Sequence, residues 1–268
     1  LLALGAFPAA FACRNETPKR AAPIEHTPSA VILAAVAPDD QVRLVGSSAS
    51  PTQAVVAQPA PSTPSPLFVP RAAEAILPSE EFEVRVWEHA VNTHTLLDAA
   101  GHGAVPVSEA RFLWGQGKLY VNFYAGDLDL QIHTRRHDGP TWKDDALSLS
   151  FPQTDGSLRI IAVSAVGVVS DGSCPTGAAD LGATGCTLAW ESHTRAAADY
   201  DGTINQIGDR DEEWNLELAI PLGSLGVTHA EPGTHVAFYL RRCEIAYDGP
   251  RQCGRWGTAE MPAELVLQ

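Results

Sequence analysis

The sequence predicts an all-β chain: an antiparallel β-sandwich, jelly-roll-like, over residues 80–268, preceded by a disordered linker. Three observations carry that expectation. Apolar and polar residues alternate in short runs through the C-terminal two-thirds of the chain, the period-two signature of half-buried antiparallel strands. Asp-Gly pairs at 138, 155, 171, 201 and 248 place turn signals among those runs. Helical periodicity is nearly absent, and many strands with Gly and Asp turns fold as a sandwich.

The elements follow in order. Phe82, Val84 and Val86 alternate with charged residues and read as a first strand, and Leu119, Val121 and Phe123 read as a second. Leu147, Leu149 and Phe151 form one face of a third, with Ala146, Ser148 and Ser150 on the other. The run 158–169 is longer and almost continuously apolar. Trp214, Leu216, Leu218 and Ile220 alternate, as do Val236, Phe238 and Leu240, and Leu265 with Leu267 closes the chain. Only the segment from Pro221 to Leu225 reads as a short helical turn. About 190 residues suffice for one core.

The N-terminal part is different in kind. Residues 1–12 carry no charge and end Ala10-Phe11-Ala12, the apolar core and small-residue cleavage site of a secretory signal. No Met or basic region precedes them, so the sequence is expected to start inside such a signal. The stretch is too short to span a bilayer, which takes about 20 apolar residues. Cys13 directly afterwards resembles the lipidated cysteine of bacterial lipoproteins, with Ala10 where that pattern usually has Leu. Arg14 rather than Asp follows it, which the same resemblance links to the outer membrane. Between residues 14 and 79 there is no Trp or Tyr, one Phe, and proline at 18, 23, 28, 38, 51, 59, 61, 64, 66, 70 and 78. Such a segment buries too little apolar area to offset its ordering entropy. It reads as a semi-stiff spacer that holds a domain away from a lipid surface.

Cys174, Cys186, Cys243 and Cys253 remain. Four cysteines in an exported chain suggest disulfides with three possible connectivities, of which the local pairs 174–186 and 243–253 are the simplest. Each closes a loop of about a dozen residues, worth roughly 3 kcal/mol by chain entropy. A zinc site is the rival reading, and it lacks CxxC spacing. The net charge of -14 disfavours nucleic acid, which requires a basic stripe, and suits calcium or simple solvation.

Three segments together resemble the family 9 carbohydrate-binding modules. Trp142-Lys-Asp144-Asp145-Ala-Leu-Ser148 is similar to that family's Trp-x-Asp-Asp-x-x-Glu strand. Trp214-Asn-Leu-Glu217-Leu-Ala-Ile220-Pro221 with Leu225-Gly226 resembles its Trp-x-x-Glu-x-x-Ile-Pro-x-x-x-Leu-Gly. Gly233 with Arg241 and Arg242, then Arg255-Trp256-Gly257, looks like its Gly…Arg strand and terminal Trp. The resemblance implies a β-sandwich and a non-catalytic sugar-binding role. Trp142 and Trp256 would sandwich a terminal sugar, with Asp144, Ser148 and Arg241 around it. An indole plate suits the apolar face of a pyranose, at about 25 cal/mol per Å² buried. The family has Glu where Ser148 stands, and a short neutral hydroxyl reaches less far and binds less strongly. Structural calcium is a further implication, with Asp127, Asp129, Asp209 and Asp211 in acidic loop-like stretches that lack an EF-hand pattern.

The other tryptophans, Trp87, Trp114, Trp190 and Trp214, read as structural. Asp144 and Asp145 are neighbours expected on opposite faces, which disfavours an acid/base pair; Glu217 is the only other carboxylate weighed as a partner. The leading expectation is a non-catalytic carbohydrate-binding lipoprotein: exported, outer-membrane or extracellular/periplasmic, monomeric, with an oligo- or polysaccharide partner and no nucleic acid. The alternatives are a structural or interaction lipoprotein of the same fold that has lost sugar binding, an independent hydrolase, and a haem protein, the last limited by the sole Met261.

Overall fold

Alternation becomes architecture along twelve strands. The first six are β1 (Leu67–Val69), β2 (Val91–Asn92), β3 (Ser108–Gly115), β4 (Lys118–Gly126), β5 (Ala146–Pro152) and β6 (Ser157–Ser164). The rest are β7 (Val169–Pro175), β8 (Arg195–Asp201), β9 (Glu213–Pro221), β10 (His235–Glu244), β11 (Gln252–Trp256) and β12 (Ala263–Leu267). This computed structural model describes residues 64–104, 106–245 and 251–268. Among the described residues there is no α-helix, only short 3-10 turns, and no helix long and apolar enough to cross a membrane. The leader, Cys13, most of the Pro/Ala-rich segment and the Asp248-Gly249 pair lie outside the described residues.

The strands form two sheets. The larger runs β1-β12-β10-β5-β6-β7, with β11 also paired to β10, and the smaller runs β2-β3-β4-β9-β8. Every pairing is antiparallel except β1 with β12. The inner faces meet in one core. Phe112, Leu119, Val121, Phe123, Trp214, Leu216 and Leu218 come from the smaller sheet, and Leu147, Leu149, Phe151, Val163, Phe238, Leu240 and Leu265 from the larger. A period of two puts each of these on one side of its strand, which is why the alternating runs and the core coincide.

The outer faces are covered too. Residues 72–87 lie over the smaller sheet, where Ile76 and Trp87 pack with Leu113, Tyr120 and Ala219. Residues 176–188 form a strap over the larger sheet, where Ala178 and Leu181 pack with Leu158, Ile160, Ala162 and Tyr239. The disulfide Cys174–Cys186 closes the strap, and Cys243–Cys253 joins directly opposed residues of β10 and β11. Both bridges are the local pairings.

Four expectations are corrected. The fold begins before residue 80, because β1 lies in the Pro-rich stretch, pairs with the C-terminal strand and buries Leu67 and Val69 in the core. Residues 84–87 form a 3-10 turn, since covering the smaller sheet buries Trp87 and leaves Val84 exposed. The run 158–169 is split by a turn at Gly167, which has φ 79°, into β6 and the start of β7. Asp171-Gly172 sits inside β7 rather than in a turn. Gly172 is needed there for a different reason: a Cβ at that position would meet the Thr187 carbonyl oxygen at 2.5 Å and the Leu181 side chain at 2.9 Å. The strap lies directly on this glycine.

Gly172→Ala should therefore lift the strap and cost about 1–3 kcal/mol, the range for overpacking. Urea unfolding would read the loss, and limited proteolysis would find faster cleavage within 176–188. An unchanged midpoint and cleavage rate would refute the close approach.

Candidate saccharide cleft

Strand β10 decides what faces what. Val236, Phe238 and Leu240 point into the core, so Tyr239 and Arg241 point outward. On β5 the same parity puts Ser148 and Ser150 outward, opposite Arg241 and Tyr239 in register. On β11, Arg255 lies directly opposite Arg241. These five side chains form the floor of a cleft of 170 Å3, walled by Ala178 and Ala179 of the strap and by Thr258, Ala259 and Glu260 beyond β11. That is below the ~300 Å3 lower bound of common small-molecule sites, and suits a single sugar ring or chain end. Two guanidinium groups, two serine hydroxyls, a tyrosine hydroxyl beside Ser150 and a carboxylate give the cleft both donors and acceptors. Arg241 is partly engaged already, donating to Asp180 of the strap at 3.2 Å.

The two indoles expected to sandwich a sugar do not face each other. Trp256 sits opposite Leu240 and packs against the main core, with its indole nitrogen buried. Trp142 lies on the outer side, packed against the Ile160–Tyr239 cluster. A Cβ on Gly182 would come within 2.3 Å of its indole nitrogen, so the strap rests on Trp142. The structure brings Ser148 and Arg241 together, leaves Trp142 beside the strap on the same sheet face, and turns Trp256 away from that face. The reason is register: Arg255 takes the outward position, so its neighbour must point inward.

Asp144 is buried and accepts the backbone N–H groups of His133 and Thr134 at 3.0 and 2.9 Å. It holds the turn that carries Trp142 rather than opening onto the cleft. Asp145 accepts from Gln131 and Ile245, both at 2.8 Å. Glu217 belongs to the smaller sheet, where it accepts the Trp87 indole N–H at 2.7 Å. The pair weighed for hydrolysis is therefore divided between two sheets. Trp114 and Trp214 are buried, donating to the Gln268 carbonyl and to Asp127. Trp190 is half-buried and lies under the Arg159 guanidinium.

A buried charge cluster closes one end of the sandwich. Asp127, Asp145 and Glu244 bring carboxylate oxygens within 4.8 Å of one another. Arg242 donates to Asp127 at 2.8 Å, pairs with Glu244 and stacks near Trp214. One cation faces three carboxylates. Burial, then the Asp127 charge, pushes Asp145 up to about 9. Burial also raises Glu244 to about 7, against the pull of Arg242. Of the four aspartates expected at a calcium site, only Asp127 belongs to such a group among the described residues. Asp211 accepts from the Leu130 and Thr203 amides and Asp209 from the Thr203 hydroxyl, while Asp129 accepts from Gln131; all three tie loops together. Sequence patterning missed Glu244 because it stands in a strand rather than in an acidic loop.

No protein-family model and no curated protein matches this chain. Several solved structures do, two of them as follows. One is a protein from Bacteroides uniformis ATCC 8492 provisionally described as carbohydrate-binding, with a TM-score of 0.56 and 10% identity over 77% of this chain and 100% of the other. The second is a family 9 carbohydrate-binding module from Caldicellulosiruptor kristjanssonii, solved with cellotriose, at a TM-score of 0.51 and 11% identity over 76% and 94% of the two chains. The chain thus shares the β-sandwich fold of these two proteins.

Proposed function

We propose that this chain is a non-catalytic domain that binds the end of an oligo- or polysaccharide in the outward cleft of the larger sheet. The observation that carries the reading is the meeting of Ser148, Ser150, Tyr239, Arg241 and Arg255 in a space of single-ring size, on a fold shared with carbohydrate-binding proteins. Tyr239 offers an aromatic wall, and the guanidinium forks suit pairs of neighbouring hydroxyls. Trp142 lies on the same sheet face beside the strap, on a turn held by Asp144. The chain acts as a monomer on an exported spacer, anchored through a lipid on Cys13 at the outer membrane and serving polysaccharide catabolism. The two disulfides fit an oxidising compartment.

A specific observation favours a second reading, in which the same lipoprotein fold is structural or interactive. Ser148 stands in place of the family's carboxylate, and Asp180 of the strap already takes a guanidinium of the cleft. Binding of a panel of cello-, xylo- and uronate-containing oligosaccharides, followed by tryptophan fluorescence and calorimetry, decides between the two. Charge-assisted hydrogen bonds contribute about 1.5–3 kcal/mol each, so Arg255→Ala and Arg241→Ala should each weaken binding roughly ten- to hundredfold. Affinity unaltered in both variants would move the site away from this cleft, and no binding to any of the panel would favour the structural reading.

We also propose that calcium occupies the Asp127–Asp145–Glu244 cluster, since one arginine leaves the three carboxylates undercompensated and their oxygens suit a hard cation. The pH dependence follows. Asp145 and Glu244 hold protons more tightly folded than unfolded, so cation-free stability is greatest near pH 4 and falls as pH rises through the folded values of about 7 and about 9. Glu217 and Asp171, raised mainly by burial, act in the same direction. Unfolding midpoints in chelator should drop between pH 5 and pH 8, millimolar calcium should restore them, and Glu244→Gln should shrink both effects. Stability that rises over this window, or ignores calcium, would contradict the assignment.

A further inference from the structure

A second group of ligating side chains lies outside the cleft and outside the Arg242 cluster. His137 and Asp138 lie just ahead of Trp142, Asp171 stands on the edge strand β7, and Glu191 follows the strap. Each brings one donor atom within 4.8 Å of all the others. His137 Nε2 lies 3.1 Å from Glu191 and 3.6 Å from Asp138. Asp138 is held in the left-handed region at φ 58°. Its amide donates to the Val169 carbonyl at 3.1 Å, and its side chain accepts the Asp171 amide at 3.3 Å.

Asp171 is the informative member. It is only 1% exposed. Its Oδ2 accepts the Ser192 amide at 2.8 Å and the Ser192 hydroxyl, while its Oδ1 is buried without a partner. An unpaired buried carboxylate oxygen is costly. Of its three neighbours, Asp138 and Glu191 are acceptors when ionised, so neither satisfies it. A cation bound among them would.

We infer that His137, Asp138, Asp171 and Glu191 form a binding site for a divalent transition metal of the zinc class. The donor set selects the class. Calcium and magnesium take oxygen ligands, whereas zinc binds an imidazole nitrogen together with carboxylates. Tetrahedral zinc, with bonds of about 2.0–2.2 Å, needs donors roughly 3.3–3.5 Å apart. His137 Nε2 already stands near that spacing from Glu191 and Asp138, and the His137 and Glu191 side chains are exposed. Asp138 and Asp171 already stand on a fixed turn and a strand. The metal would fasten three segments at one point: the turn bearing Trp142, the sheet edge, and the chain leaving the strap. The Asp127–Asp145–Glu244 group has no imidazole and contains a buried arginine, so it selects differently.

The test uses the full chain, stripped with EDTA and titrated with zinc sulfate, with cobalt as a spectroscopic probe. One equivalent of zinc should bind, raise the thermal midpoint and slow proteolysis of the strap. Cobalt should give visible bands of a nitrogen–oxygen site. His137→Gln and Glu191→Gln remove exposed ligands without touching the core, and each should weaken zinc by about tenfold or more. Calcium binding at the other cluster should stay unchanged in both variants. Absence of zinc binding, zinc affinity equal to wild type in both variants, or displacement of zinc by equimolar calcium would overturn the assignment. Should one variant fail to fold, the other decides.

Discussion

The parity of β10 is the constraint on which the rest of this structure depends. Its even-numbered residues, from Val236 through Phe238 and Leu240, fill the sandwich core, and the same face continues into Arg242 and Glu244 at the sandwich end. Its odd-numbered residues, Tyr239 and Arg241, build the cleft and lead to Cys243, which bridges to β11. One strand therefore serves core, charge cluster, cleft and disulfide. A slip of one residue would exchange all four roles, placing guanidinium groups in the core and Leu240 in solvent. The disulfide between directly opposed Cys243 and Cys253 fixes the neighbouring register of β11. It thereby fixes that Arg255 looks out and Trp256 looks in.

The strap sets the size of the cleft. An outer face left bare would present Tyr239, Trp142 and Leu158 as an open apolar surface. The strap covers most of it and leaves a gap near Ser148 and Arg241. It lies close because two glycines permit it, Gly172 beneath it and Gly182 within it over the Trp142 indole. It is located by the Arg241–Asp180 pair and by the Cys174–Cys186 bridge. These contacts convert a broad sheet face into a compact recess. Arg241 serves both the recess and the strap, because its guanidinium is paired with Asp180.

The fold was legible in the sequence where side-chain periodicity and burial coincide. Leu147–Leu149–Phe151, Trp214–Leu216–Leu218 and Val236–Phe238–Leu240 each read directly as one face of a strand. Ala110, Phe112 and Trp114 of β3 carry the same signal, overlooked because Leu113 breaks the pattern from the other face. Strands β1 and β8 carry little of it. The first is three residues long, too short to show a period although Leu67 and Val69 are buried, and the second runs along an edge with alanines where bulk would mark a buried side. The site was legible only in part. Ser148 and Arg241 were singled out by the family resemblance, and strand parity puts both on the outward face of the larger sheet. Trp256 failed because the motif specifies residue types and spacing, while the facing direction depends on the β10–β11 register. Asp171 and Glu191 come together through the strap's path, which no local pattern records.

The chain's acidity is distributed with a physical logic. Most of its carboxylates are solvated and cost nothing to ionise. Among the buried ones, two groups gather where backbone segments are fastened at a sheet boundary. At the sandwich end, Asp127 and Asp145 are tied into loop amides, Arg242 lies among them under Trp214, and water is excluded. Charge there is balanced from within the protein, though incompletely. At the β7 edge, Asp171 is equally buried but its companions His137 and Glu191 are open to solvent, and no arginine or lysine forms an ion pair with the group. A closed cluster with its own guanidinium is partly compensated already and offers oxygen donors alone. An open cluster that combines an imidazole, an unpaired carboxylate oxygen and free side-chain torsions accepts its counter-charge from outside. The difference between the two lies in which residues reach solvent, and it follows from their places in the sandwich: one between the sheets, the other at the rim.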